Sequence, residues 1–454
     1  MNDKTAFFKL KELAYLFISA LILMIPAFYN GYPIVAGDTG AYVNNAFELY
    51  VPPDRAIGYS LFIRITTWEE TLWFAIAFQA LILSFLIRLL CRHYLKEAYR
   101  NSLFLVISLL LTFTTSCAWF GCQLMPDIFT GILLLAILVW YVIPFNASWQ
   151  KWILGLFILC TLMQHNSNVL ILFIFSLVAI ITTWRSNKIW LRKSSVLFLI
   201  CILSLLSYST MNAISGKGFR PSQSAGVFLM CRLIENGTMD KFLAENCGSN
   251  EYNLCPYKDE LPNHQWIFMW DQNSPLYKTG GWEANEENYK AIEWKIFTTP
   301  RYLTLFLFKS AQATMRQLLQ IHVADGNMPM GPGSSPYKFI KERYPYEHKE
   351  YSVSVQNDGR IPFALINATI FITTLVLAVW ILILAAIKGG IQRRWISAFC
   401  IIGLYLVCNA VVTATFSTVM NRFEARVFWV LPFFCILYLM TLLPSKRKLQ
   451  TSII

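Results

Sequence analysis

The sequence predicts an all-α integral membrane protein with about ten transmembrane helices, interfacial helices in the first outer loop and one large extracytoplasmic loop. Three observations carry this. Hydrophobic residues make up 56% of the 454-residue chain and charged residues only 14%, against about 25% charged in an ordinary soluble domain. Apolar runs close to the roughly 20 residues needed to cross a bilayer recur from end to end. Runs such as "LFLVISLLL" lack the alternation of a barrel strand, and a helix satisfies its own backbone in hydrocarbon.

Taken in order, the expected spans are 14–30, 71–91, 102–121, 127–145, 152–165, 168–184, 195–214, 362–387, 395–418 and 427–443. No small-residue cleavage site follows the first run, so it reads as a retained span. The basic residues test the count. Lys4, Lys9 and Lys11 precede the first span. Arg88, Arg92, Lys96 and Arg100, then Lys151, then Arg185, Lys188, Arg192 and Lys193 occupy connections. Lys388, Arg393 and Arg394 follow the eighth span, and Lys446, Arg447 and Lys448 the last. All fall on one side if the count is even and both termini are cytoplasmic. This accounts for the net charge of +12 without nucleic acid, for which no contiguous basic surface with interleaved aromatics is present. The fifth span is short, and "MQHNSN" interrupts it before the sixth, so this pair reads either as two crossings or as a broken pair lining a cavity.

The other side then receives residues 31–70 and 215–361, dividing the chain into 1–214, 215–361 and 362–454. The larger outer piece holds Cys231, Cys247 and Cys255 among the eleven cysteines. An extracytoplasmic setting permits a disulfide across "CGSNEYNLC"; there is no CxxC pair. Within this piece "PRYLTLFLFKSAQATMRQLLQI" (300–321) has a helical pattern and carries Lys309 and Arg316. It reads as an amphipathic interfacial helix, with two half-spans as the alternative. Trp266, Trp270, Trp282 and Trp294 could stack on sugar rings or form the piece's own core.

Four stretches could do chemistry. In "VAGDTGAYVNNAFELYVPPDRAIGYSLF" (35–62), Asp38 stands at the membrane boundary among small residues, where a carboxylate is costly unless paired or used. The bland alternative is a helix N-cap; Glu48 and Asp54 are substitutes for the same role. In "CQLMPDIFTGILLLAIL", Pro126 and Asp127 suit a helix start, yet Asp127 shares its level and side with Asp38. In "MQHNSNVL", His165 and Asn166 either bridge helices or line a wet cavity. In "VMNRFEARVFWVLPFF", Arg422 and Arg426 run against the positive-inside trend. They suit a phosphate, unless they simply pair with Glu424. Acids, a His–Asn cluster and paired arginines on one side fit transfer from a lipid phosphate. A carboxylate would act as base and arginine would stabilise the leaving phosphate.

At this point the chain resembles the GT-C superfamily of polytopic membrane glycosyltransferases. The matching residues are Asp38, Tyr42, Pro52, Pro53, Tyr59 and Phe62 in the first outer loop. "MPDIFTGILLLAI" resembles the family's "PD" helix start, "PRYLTLFLFKS" its interfacial helix, and "NRFEARVFWVLPFF" its closing helix. The resemblance implies transfer of a sugar from a polyprenyl-phosphate-linked donor to a glycan, lipid or protein acceptor at the outer face. The setting would be a multi-pass protein of the bacterial plasma membrane. Asp38 and Asp127 would be the catalytic acids, and Arg422 or Arg426 would contact the donor phosphate. Tyr42, Arg55, Tyr59, His165 and Asn166 would contact substrate. Thr39 follows Asp38 where many members carry a second acid, which leaves a divalent metal open. Further readings stay in play: a lipid-linked glycan polymerase or ligase, which needs outer arginines but not Asp38; a transporter or flippase; a membrane acyltransferase using His165; and a structural envelope protein. The spans are nearly free of charge, against ion coupling.

Overall fold

The computed structural model describes residues 3–145, 147–249, 252–387 and 390–442. Lys388, Lys446, Arg447 and Lys448 lie outside them. The described residues are helical throughout and contain no strand; the only extended pairing is one isolated parallel bridge between Ile34 and Gln123. Helices lie at all ten expected spans, but 14–30 is divided between Asp3–Leu23 and Ile25–Asn30, and 102–121 between Asn101–Thr114 and Cys117–Gly121. Six helices are long and apolar enough to cross a membrane, the pattern of a multi-pass membrane protein: Trp73–Ala98, Asn166–Thr183, Lys188–Ile214, Phe363–Ile387, Arg393–Phe416 and Asn421–Met440. Asn101–Thr114, Ile128–Val142 and Ser148–Leu162 are apolar but shorter.

Two helices show opposite solutions to the same composition. In Phe363–Ile387 only Ile370 and Ile381 are fully buried, with Phe363, Ile366, Leu377 and Leu384 partly packed on the core, so most of the apolar surface of this 25-residue helix faces outward. Such a surface is stable against lipid and not against water. Ile128–Val142 is buried from Ile128 to Tyr141 and forms the centre of the bundle. At about 1.5 Å per residue it rises only ~22 Å. It stops where Ile143 turns extended before Pro144, since the residue before proline is pushed out of the helical region.

At the end carrying the basic connections, Arg88 is buried and pairs with Glu12 of the first helix, Asp3–Leu23, which also receives Arg92. A buried guanidinium needs that partner.

The stretch 215–361 contributes to two cores. Residues from Val227 to Phe306 form a separate apolar cluster built on Ala225–Glu235, Thr238–Asn246, Glu286–Thr298 and the start of Pro300–Gln317. The Cys247–Cys255 disulfide is present there, and Cys231 is buried and free. In contrast Val323, Ile340, Tyr344, Tyr351 and Ile361 join the main core. Gln356 fixes this second part to the first outer loop: its amide accepts from Val35 N–H (3.1 Å) and donates to Val35 O (2.7 Å).

Within the smaller cluster Glu293 is 9% exposed, and its Oε1 has no hydrogen-bond partner. Burial pushes its carboxyl from 4.5 up to about 8, with Lys290 opposing. The folded state therefore keeps a proton that the unfolded chain releases. This stability is fully present below about pH 4.5 and is lost as pH rises through 8. Glu293→Gln should raise the thermal midpoint at pH 8 and leave it unchanged at pH 4.5. Differential scanning fluorimetry at the two pH values checks this, and an equal shift at both would contradict it.

Candidate active site

Asp38 and Asp127 reach the same level because their backbones are stitched together. Ile34 N–H donates to Cys122 O (3.0 Å) and Leu124 N–H donates to Ile34 O (2.8 Å). Thr39 locks the turn: its hydroxyl accepts from Ala36 N–H (2.9 Å) and donates to Leu124 O (3.0 Å). Helix Thr39–Glu48 then starts just after Asp38, and Ile128–Val142 just after Asp127. Neither acid makes a side-chain cap bond to its helix, so capping does not account for them.

The paired arginines come from helix Asn421–Phe428. Distant residues clamp its entry. Gln317 donates to Met420 O (2.8 Å) and accepts from Met420 N–H (3.0 Å), while Asn421 N–H donates to Asp325 Oδ2 (2.7 Å). The close packing of this helix on Ile128–Val142 requires Gly131, where a Cβ would sit 2.8 Å from the Trp429 ring and 3.0 Å from Arg426 O. Arg422 and Arg426 are four residues apart and share a helix face; Glu424, at about 200° from Arg422, cannot join them. It is fully buried and accepts from Asn409 Nδ2 (2.8 Å). The surface pairing with Glu424 therefore does not occur.

Each arginine instead finds an acid from elsewhere in the chain. Arg426 lies 3.1 Å from Asp127, with side chains 0% and 1% exposed. It also donates to Ser167 Oγ (3.2 Å) and Asn409 Oδ1 (3.3 Å) and lies 3.4 Å from His165 Nε2. Arg422 lies 3.4 Å from Asp38 Oδ2, and Arg55 lies 3.5 Å from Asp38 Oδ1. Arg55 is itself held by Asp54, at 2.5 Å, and rests over the Tyr42 ring. The Asp38 carboxylate thus sits between two guanidinium groups, one per oxygen.

These groups surround a cavity of about 420 Å³ lined by Asp38, Tyr42, Asp54, Arg55, His165, Asn166, Arg422 and Arg426. Its apolar walls come from Asn166–Thr183, Lys188–Ile214 and Arg393–Phe416, with Phe228, Trp266 and Trp270 of the outer cluster completing them. His165 accepts from Ser167 N–H and so caps Asn166–Thr183. The break at 163–165 meets the first outer loop through Gly58, where a Cβ would lie 1.9 Å from Met163 O. Only glycine permits that approach, which sets His165 and Asn166 beside Arg55.

Two expected site residues stand behind the cavity. Asp127 is fully buried against Arg426 and is not part of the lining. Tyr59 is fully buried, stacks edge-on beneath Tyr42 (5.2 Å) and donates to Gln79 Oε1 (2.7 Å). Asp38, Tyr42 and Arg55 thus line the cavity, while Tyr59, on helix Gly58–Thr67, packs inward. Trp282 packs against the outer cluster and Trp294 is exposed elsewhere. Asn409, which joins Arg426 and Glu424, was missed; a lone amide in the apolar run "LYLVCNAVV" was the available signal.

Among the described residues no group of three His, Cys, Asp or Glu could hold a metal ion. Both lining carboxylates, Asp38 and Asp54, already face Arg55, so this donor set does not fit a divalent cation. No family model, curated protein or solved structure matches the chain.

Removing Asp127 leaves the buried Arg426 guanidinium without its carboxylate. Asp127→Ala should cost about 3–5 kcal/mol, and Asp127→Asn clearly less because the amide oxygen still accepts. Thermal unfolding of both variants in one detergent checks the order; equal stability would show that the pair is not buried as described.

Proposed function

We propose that this chain is a GT-C-like membrane glycosyltransferase. It moves a sugar from a polyprenyl-phosphate-linked donor to an acceptor hydroxyl at the outer face of the plasma membrane, with ten spans and cytoplasmic termini. The observation that carries the reading is the Asp38 carboxylate between Arg55 and Arg422, at a cavity whose walls are membrane-type helices. A donor of this class has an isoprenoid tail that suits those walls and a phosphate that suits a guanidinium fork. An isolated acid or an isolated arginine would not support it.

In this reading the acceptor oxygen attacks the anomeric carbon as its proton passes to Asp38. The bond from that carbon to the phosphate oxygen breaks, and the electron pair stays on the phosphate. Arg422, 11% exposed, meets the growing negative charge. Arg426 is fully buried, so with Asp127 it fixes the helix that presents Arg422. Trp266 and Trp270 offer ring faces to a sugar-bearing acceptor.

The test is mass spectrometry of envelope lipids and glycans from wild type, a deletion strain, and the deletion complemented with Asp38→Asn at matched abundance. A sugar-bearing species should vanish in the deletion and stay absent in the variant, with at least about a hundredfold loss of transfer. Restoration by Asp38→Asn would remove the base and favour a polymerase or ligase that needs only the arginines. In a purified assay Arg422→Ala should lower kcat/KM for the donor by roughly a hundredfold. Unchanged donor kinetics would take Arg422 out of the site.

A further inference from the structure

At the opposite end of the bundle from Asp38 lies a second cleft, of about 900 Å³, between the beginnings of Ser148–Leu162 and Lys188–Ile214 and the end of Ile128–Val142. Its walls are apolar and open onto the outward surface: Trp152 is 79% exposed and Leu156 61%. The two helices close its floor where Gly155 meets Ile200; a Cβ on that glycine would lie 3.7 Å from Ile200 Cδ1. Trp140 Nε1–H donates to Lys193 O (3.2 Å) and Tyr141 OH pairs with Ser194 Oγ (2.7 Å), which fixes the back wall.

Four cations, Lys151, Lys188, Arg192 and Lys193, also line the cleft. Among the described residues only Lys193 is engaged by the backbone, donating to Tyr141 O (2.8 Å). Between Asp127 and Glu235 the sequence has no acidic residue at all. Among the described residues no ion pair joins any of the four to a carboxylate. At the same end of the bundle Arg88 and Arg92 do find a counter-ion, Glu12. Cations at the mouth of a groove with apolar walls match an amphiphile with an anionic head.

We propose that this cleft binds an anionic glycerophospholipid of the surrounding bilayer. The phosphate diester sits among Lys151, Lys188 and Arg192, and an acyl chain lies along Trp152, Leu156 and Leu203. Basic pockets between membrane helices bind lipid head groups in this way. The site is independent of the outer cavity and of the reaction proposed there.

Native mass spectrometry of the full-length protein with phosphatidylglycerol tests this. A Lys151→Ala/Arg192→Ala variant should need roughly twenty-five-fold more lipid for half occupancy, at about fivefold per cation. Arg100→Ala/Arg393→Ala, which removes two cations outside the cleft, should bind as wild type does. Phosphatidylcholine should bind equally weakly to all three, and glycerol phosphate should not displace the lipid. Unchanged binding in the cleft variant overturns the proposal. An equal loss in the control shows diffuse surface charge instead of a site, and full displacement by glycerol phosphate shows an anion site without a lipid chain. If the double variant does not fold, Lys188→Gln is read the same way, with roughly fivefold weakening expected.

Discussion

Two arginines one helical turn apart, in a mostly apolar chain, are the constraint on which the cavity end of this protein depends. Like charges at that spacing repel, and a buried guanidinium without a partner is costly. Their counter-charges lie far away in sequence: Asp38 is 384 residues from Arg422 and Asp127 is 299 residues from Arg426. The charges are satisfied only when the first outer loop, the helix at Ile128 and the closing helix have all come together. The Ile34–Gln123 bridge, the glycines at 58 and 131 and the Gln317–Met420 pair are the local devices that make this closure possible.

The two ion pairs divide the work. The Arg426–Asp127 pair is buried, and Arg426 also meets Asn409, Ser167 and His165, which suits a fixed support. The Arg422–Asp38–Arg55 group is longer in its contacts, at 3.4 and 3.5 Å, and borders the cavity. The two ends of the bundle differ in the same respect: carboxylates answer the arginines at the cavity, whereas among the described residues no carboxylate pairs with the cations of the second cleft.

Much of this was legible in the sequence, for identifiable reasons. Span positions follow from hydrophobic runs, which depend on composition alone. The Cys247–Cys255 bridge follows from close spacing in an outer segment. Asp38, His165, Arg422 and Arg426 stood out because charge and polarity are expensive beside apolar runs. Other features depend on contacts that spacing does not encode. An apolar run cannot say whether its neighbours are lipid or protein, so the wholly buried Ile128–Val142 and the outward-facing Phe363–Ile387 read alike. The inward turn of Tyr59 depends on its bond to Gln79, and the seat of Asp127 on the approach of a helix 299 residues on. The Gln317 and Asp325 clamps and the division of 215–361 between two cores likewise appear only in three dimensions.

The central claim is that the outer cavity receives a lipid-linked phosphate beside Asp38. Determining the structure of the protein by cryo-electron microscopy with a polyprenyl phosphate present tests it most directly. The account predicts phosphate density within hydrogen-bonding distance of Arg422, with the isoprenoid tail running between Asn166–Thr183, Lys188–Ile214 and Arg393–Phe416. Density for the phosphate elsewhere, with the Arg422–Asp38 contact undisturbed, would contradict it.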